Sequence, residues 1–131
     1  CLDGTIGFEK YQLEKEKLSL PIKRFPGLAL PSFFLFYKNE TIPLHLYDFA
    51  LHFFRNWKNP KALAFYVPKL ENEEEARYIR IMMETAEKKL QKLHPEYQTG
   101  SIRLMIVLEN PRAVFRVHEM MDELYPYFAG A

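Results

Sequence analysis

The sequence predicts an α/β fold built on a parallel sheet. A short strand end at Ile22-Lys23-Arg24 and apolar runs at Ala62 to Val67 and Leu104 to Leu108 alternate with longer stretches of helical spacing. The Leu104 to Leu108 run is apolar throughout, the pattern of a central strand buried on both faces. It ends at Glu109, and Asn110-Pro111 then supply an N-cap and a residue suited to the first helical turn. Glu109 is thereby expected where a strand leaves the sheet and a helix begins. In open α/β sheets and α/β barrels alike, catalytic and metal-binding residues collect at that edge.

Residues 1–21 alternate weakly, are rich in Lys and Glu, and read as a surface hairpin or an extended lead-in. Ile22-Lys23-Arg24 is a short strand end, stopped by Phe25-Pro26-Gly27. Phe33 to Tyr37 and Thr41-Ile42 flank Lys38-Asn39-Glu40, so a β-hairpin is expected over about residues 33–42. Beyond it, Leu44, Tyr47, Leu51, Phe54 and Trp57 recur at helical spacing, and Phe49, Ala50 and Phe53 widen the stripe. That pattern predicts a largely buried helix, ended by Asn59-Pro60. Ala62 to Val67 form the second apolar strand, closed by Pro68-Lys69-Leu70-Glu71. Asn72 with Glu75 makes a start resembling a capping box. Ala76, Ile79, Met83, Ala86, Leu90 and Leu93 follow at alternating intervals of three and four, until His94-Pro95 stops the helix. Gly100 leads into the third strand. A last helix is expected from Pro111 to about Tyr125, with Val114, Val117, Met121 and Leu124 inward.

Strands alternating with helices imply right-handed crossovers between parallel neighbours. A doubly wound sheet and a segment of a (β/α)8 barrel both satisfy that order. No glycine fingerprint for phosphates stands at any strand-to-helix turn, which weakens a nucleotide-binding Rossmann reading. A whole barrel takes ~250 residues. At 131 residues, a barrel reading makes the chain a piece of one.

Composition narrows the function classes. Apolar residues make up 48% and aromatics 15%, enough for a sizeable core and against disorder. The net charge of +1 argues against a dedicated nucleic-acid surface. Lys10, Lys15, Lys17, Lys23 and Lys38 give the first third a mild basic excess, but glutamates interleave and a solvated face is expected. The single cysteine, Cys1, cannot form an internal disulfide. No apolar run approaches the roughly 18 residues of a membrane span, and no basic-then-apolar leader opens the sequence. The expectation is a soluble, cytoplasmic protein. A start at Cys1 without Met and a stop at Ala131, just after an apparent helix, read as cut ends.

Each expected parallel strand ends in charge: Arg24 on the first, Lys69 and Glu71 on the second, Glu109 on the third. On neighbouring strands these side chains share one rim. A carboxylate facing an arginine across a small cleft suits an anionic substrate held by a divalent metal. Mg²⁺ typically takes one or two carboxylates plus substrate and water, and an arginine can steady charge developing in the transition state. The plainer alternative is solvated tips or weak local ion pairs, which fits Lys69 and Glu71 best. Glu109 closes a buried run, where a lone carboxylate is costly without a partner. The histidines form no ligand cluster: His45 and His52 sit two turns apart on one helix, His94 precedes a proline, and His118 lies one turn from Val114. Packing or surface roles are expected for all four. Met82, Met83, Met120 and Met121 read as core filler. Neither a Ser-His-Asp or Cys-His arrangement nor a zinc spacing is present.

Taken in order, four stretches resemble the malate synthase family, within the Mg-dependent acyl-CoA barrel superfamily that also holds citrate lyase β-type enzymes. They are Lys23-Arg24-Phe25-Pro26-Gly27-Leu28-Ala29-Leu30-Pro31, Leu46-Tyr47-Asp48-Phe49-Ala50-Leu51-His52-Phe53-Phe54, Tyr66-Val67-Pro68-Lys69-Leu70-Glu71 through Glu75-Ala76-Arg77, and Val107-Leu108-Glu109. The Pro-Lys-x-Glu piece and the buried strand ending in Glu are shared across the superfamily, whereas the Asp48-Phe49 helix points to malate synthase. The resemblance implies a partial TIM (β/α)8 barrel, roughly βα units 2–4 with an inserted hairpin, forming one incomplete segment over residues 1–131, with 1–21 as lead-in and the βα units over 22–131.

It also implies a Claisen-type condensation of acetyl-CoA with glyoxylate to malate and CoA, an acyltransferase step of the glyoxylate cycle. In that family Mg²⁺ binds glyoxylate and polarises its aldehyde, an aspartate deprotonates the acetyl methyl, and an arginine steadies the enolate and alkoxide. Arg24 matches the catalytic arginine and Glu109 one of two metal carboxylates; no residue is assigned to CoA. Pro26-Gly27-Leu28-Ala29 stands where many members carry Arg-Gly-Trp-His, and Asn110-Pro111 replaces the more usual Thr-Leu. The second metal carboxylate and the base are expected beyond Ala131, so the remainder of the barrel is the expected partner and the isolated piece is expected to be inactive. A citrate lyase β-like carbon–carbon lyase and a non-catalytic α/β binding module are the alternatives.

Overall fold

A computed structural model describes residues 19–131. The expected lead-in falls outside the described residues except for 19–21, which carry no regular structure. In chain order the elements are β1 (Lys23–Arg24), β2 (Phe36–Tyr37), β3 (Glu40–Thr41), α1 (Leu44–Asn56), β4 (Ala64–Val67), α2 (Glu73–Leu93), β5 (Arg103–Ile106), α3 (Pro111–Phe115), α4 (Val117–Leu124) and β6 (Phe128–Gly130), with a 3-10 turn at Pro60–Ala62.

β1, β4, β5 and β6 form one sheet in that order, and every adjacent pair is parallel. A doubly wound sheet reverses its strand order at a switch point. Here each crossover moves one place in the same direction, which is how a (β/α)8 wall grows. The fold is therefore α/β with the topology of an incomplete barrel. The hairpin β2–β3 hangs between β1 and α1 as a separate antiparallel pair. Its turn is the two residues Lys38 and Asn39, both at positive φ (50° and 66°), and Glu40 belongs to the returning strand rather than the turn.

One face of the sheet is covered by helices. Phe25, Phe65, Val67, Leu104 and Ile106 are buried against Phe49 and Phe53 of α1, Ile79, Met83 and Leu90 of α2, and Met120 and Leu124 of α4. At its centre Phe25, Phe49 and Phe65 pack at centroid separations of 5.2–5.5 Å, mostly edge to face. Each such ring contributes about 2–3 kcal/mol by leaving water. Among the described residues no helix is long and apolar enough to cross a membrane.

Helix α2 follows its sequence closely. Asn72 Oδ1 accepts from the Glu75 N–H at 2.9 Å, and Glu75 Oε2 accepts from the Glu71 N–H at 2.8 Å. Glu73, Glu74 and Glu75 in the first turn complement the helix dipole. Ala76, Ile79, Met83, Ala86 and Leu90 are buried, while Leu93 at the frayed end is 70% exposed.

Four expectations need correction. Helix α1 is not largely buried: its inner face is His45, Phe49 and Phe53, and Tyr47, Leu51 and Phe54 lie on the solvent side. Apolar residues surround this helix, so periodicity left its rotation open. The last helix breaks at Arg116, whose φ of −113° separates α3 from α4. That break resets the phase, so Ala113, Met120 and Leu124 turn inward, Val114 is exposed and Val117 and Met121 are half-buried. The third main strand stops at Ile106, and only one of its faces is covered: Leu104 and Ile106 are buried, Met105 half-buried, and Val107 and Leu108 exposed. Finally, β6 adds a fourth parallel strand where none was expected.

Candidate active site

Side chains alternate faces along a strand, and the register of this sheet makes the alternation a row. Arg24 pairs with Tyr66, Tyr66 with Met105, and Met105 with Gly130. The flanking residues Phe65, Val67, Leu104 and Ile106 are buried on the helix side, so the Arg24 row faces the other way. Arg24, Tyr66 and Met105 of this row line a concavity of about 630 Å³ together with Ile22, Val107, Leu108, Glu109 and Ala131.

Arg24 is the last residue of β1. Backbone pairing continues one residue past it, where the Phe25 N–H donates to the Tyr66 carbonyl at 3.0 Å. Lys23 takes the opposite face, and its Nζ donates to Asp48 Oδ1 of α1 at 3.0 Å. On the inner face the Arg24 Cζ lies 5.8 Å from the centroid of the Tyr66 ring.

Glu109 stands in the short link between β5 and α3. The Val107 N–H donates to the Val67 carbonyl at 3.3 Å and carries the sheet's pairing toward it. Just beyond, Asn110 Oδ1 accepts from the Ala113 N–H at 2.8 Å, and Pro111 fills the first helical turn. The N-cap expected from Asn110-Pro111 thus fixes the residue after Glu109. Among the described residues neither Arg24 nor Glu109 enters an ion pair.

The structure thus brings Arg24 and Glu109 to one concavity at the C-terminal edge of the sheet. Lys69 and Glu71 leave the same edge after β4 but do not line it. Lys69 adopts a left-handed backbone at φ 60° with its side chain exposed, and Glu71 is exposed with its N–H given to Glu75. The histidines lie elsewhere. His45 is buried with Nε2 2.8 Å from the Tyr78 hydroxyl, and His52 Nε2 is 2.8 Å from the Ala62 carbonyl. His118 is exposed, and the His94 ring packs at a tilt against Trp57, with centroids 4.4 Å apart.

Among the described residues no group of three or more His, Cys, Asp or Glu could hold a metal ion. Glu109 is the carboxylate lining the concavity. A single hard oxygen donor there fits Mg²⁺, whose shell is completed by water and substrate oxygens and one further carboxylate at most. Sequence reasoning overlooked Tyr66, Met105 and Gly130. For Tyr66 and Met105 the signal was there, because both align with Arg24 once the strands are taken as adjacent; Gly130 lies on β6, which has no pattern to show it.

Residues 21–130 match the TIM barrel domain of malate synthase. The chain belongs to the malate synthase family. It is 30% identical to malate synthase A of Escherichia coli (strain K12), over 99% of this chain and 25% of that protein. The glyoxysomal malate synthases of Cucumis sativus and Gossypium hirsutum are each 32% identical, over 99% of this chain and 24% of theirs. The chain therefore spans about a quarter of the length of these malate synthases. The parallel strands in chain order are the barrel wall of a malate synthase domain, and the concavity is the inner face of that wall.

Proposed function

We propose that this chain supplies part of the active site of a Mg²⁺-dependent malate synthase condensing acetyl-CoA with glyoxylate. In that reaction the acetyl methyl carbon bonds to the aldehyde carbon, and hydrolysis of the thioester releases CoA and malate. The observation that carries this reading is the meeting of Arg24 and Glu109 in one concavity at the C-terminal strand ends, the edge where barrel enzymes keep their chemistry.

Arg24 places a permanent cation over the space where enolate and alkoxide charge develops, so it stabilises the transition state more than the ground state. Glu109 would contribute one carboxylate to Mg²⁺. When bound, the ion would supply Lewis acidity at the glyoxylate aldehyde. The base and a second metal carboxylate come from outside these residues, in the remainder of the barrel. Ile22, Met105, Val107 and Leu108 give the concavity apolar walls, and closure of the full barrel over them would strengthen both electrostatic contributions. A soluble compartment holding glyoxylate and acetyl-CoA is the setting: cytoplasm, or a peroxisome-type organelle in a eukaryote.

The test is glyoxylate-dependent release of free CoA thiol from acetyl-CoA by the natural full-length protein, with and without EDTA. Metal-dependent release is the expected result. Cleavage of citramalyl- or citryl-type thioesters without condensation would make the protein a lyase of the same superfamily. Inertness toward both would leave a binding module. The isolated 131-residue chain is expected to release no CoA, since it offers one carboxylate to the metal.

A further inference from the structure

Arg24 sits at the end of a two-residue strand with no carboxylate among the described residues to hold its guanidinium. A long, rotamer-rich side chain in that position loses entropy each time it adopts the productive geometry. The contact that defines its direction is aromatic. Tyr66 is its register partner on β4, both side chains line the concavity, and the guanidinium carbon lies 5.8 Å from the ring centroid. This is within the range over which a ring face attracts a cation.

We infer that Tyr66 is a positioning residue for Arg24: its ring face holds the guanidinium toward the reacting atoms without itself touching them. The role rests on the assignment of Arg24 proposed above. Tyr66 is well built for it. Its strand neighbours Phe65 and Val67 are fully buried on the opposite face, which locks the backbone that aims the ring. Across the row, Met105 is flexible and Gly130 has no side chain, so Tyr66 is the rigid platform beside the arginine. The ring, rather than the hydroxyl, makes the contact.

The experiment uses the natural full-length protein and two readouts. Tyr66→Phe keeps the ring and is expected to hold kcat within about twofold, whereas Tyr66→Leu is expected to lose about 3- to 30-fold in kcat with little change in KM for glyoxylate. In an Arg24→Ala background, Tyr66→Leu should add no further loss. The second readout needs no activity: the rate at which phenylglyoxal modifies Arg24, followed by peptide mass spectrometry, should rise in Tyr66→Leu and stay unchanged in Tyr66→Phe. Full additivity of Tyr66→Leu with Arg24→Ala, equal damage from Phe and Leu, or unchanged labelling of Arg24 in Tyr66→Leu would each overturn the inference. Wild-type protein inert toward glyoxylate would refute the proposed reaction, and the labelling would still decide whether Tyr66 holds Arg24.

Discussion

Tyr127 donates its phenolic proton to Glu87 Oε2 at 2.7 Å, tying the residue before β6 to the interior of α2. Glu87 is 2% exposed and also accepts from the Tyr97 hydroxyl at 2.5 Å and from the Gly100 N–H at 2.9 and 3.0 Å. A buried carboxylate without a cation is tolerable because three donors converge on it. Glu87→Ala strands those donors and is expected to cost about 3 kcal/mol, read from the denaturant midpoint at constant m. A loss below about 0.5 kcal/mol would mean that water replaces the carboxylate freely.

The same cluster sets the alkaline limit. Burial first, and then the bonds to Glu87, hold the Tyr97 and Tyr127 hydroxyls protonated well above the ordinary tyrosine range. Above pH ~10 the unfolded chain loses these protons while the folded chain keeps them, so stability falls as pH rises. Tyr127→Phe removes one such group. Its stability should decline less steeply between about pH 10 and 12, by the slope of one proton.

His45 governs part of the acid limb. Burial lowers its pKa, Nε2 is engaged with Tyr78, and Nδ1 is buried without a partner among the described residues. The folded state therefore binds fewer protons than the unfolded state below about pH 6.5, and stability is lost as pH falls through that window. His45→Phe should flatten the stability profile between pH 7 and 5, even though it gives up the bond to Tyr78. Unfolding curves at matched ionic strength provide the check.

Lys23 and Asp48 are each about a third exposed, at 34% and 28% of their side chains, so their ion pair contributes only ~0.5 kcal/mol. The penalty for breaking it from one side is larger, because Asp48 Oδ2 is already buried without a partner among the described residues. Lys23→Met is expected to destabilise more than the double variant Lys23→Met/Asp48→Leu. A double-mutant cycle in urea measures the difference, and a double variant no better than the single would argue against it.

Substitutions at the concavity should separate activity from folding. Arg24→Lys keeps charge but loses the planar fork, and about a 10²-fold drop in kcat is expected. Glu109→Gln should raise the Mg²⁺ concentration needed for half-maximal rate by at least about tenfold. Both side chains are exposed, so thermal midpoints should barely move.

Much of this arrangement was readable before any coordinates. Asn72 and the three-four spacing define α2, and Asn110-Pro111 define the start of α3. Parallel strands force Arg24 and Glu109 to a common edge. What escaped was set by tertiary context. Phe128–Gly130 is too short to show a period and lacks a β-branched residue. The rotation of α1 was hidden by apolar residues on every side. Glu87 falls within the stripe of Met83, Ala86 and Leu90, but a charged side chain there gives no periodic sign of burial. Its partners Tyr97 and Tyr127 come from loops that pattern reading cannot bring together.

The parallel order of the sheet has a practical corollary. Gly100 and Tyr127 enter β5 and β6 from one pole, whereas Arg24 and Glu109 leave their strands at the other. Resilience and the proposed turnover thus belong to opposite ends of the wall. Evolution, or an engineer, can harden the Glu87 end without disturbing the mouth, and can retune the mouth without loosening its foundation.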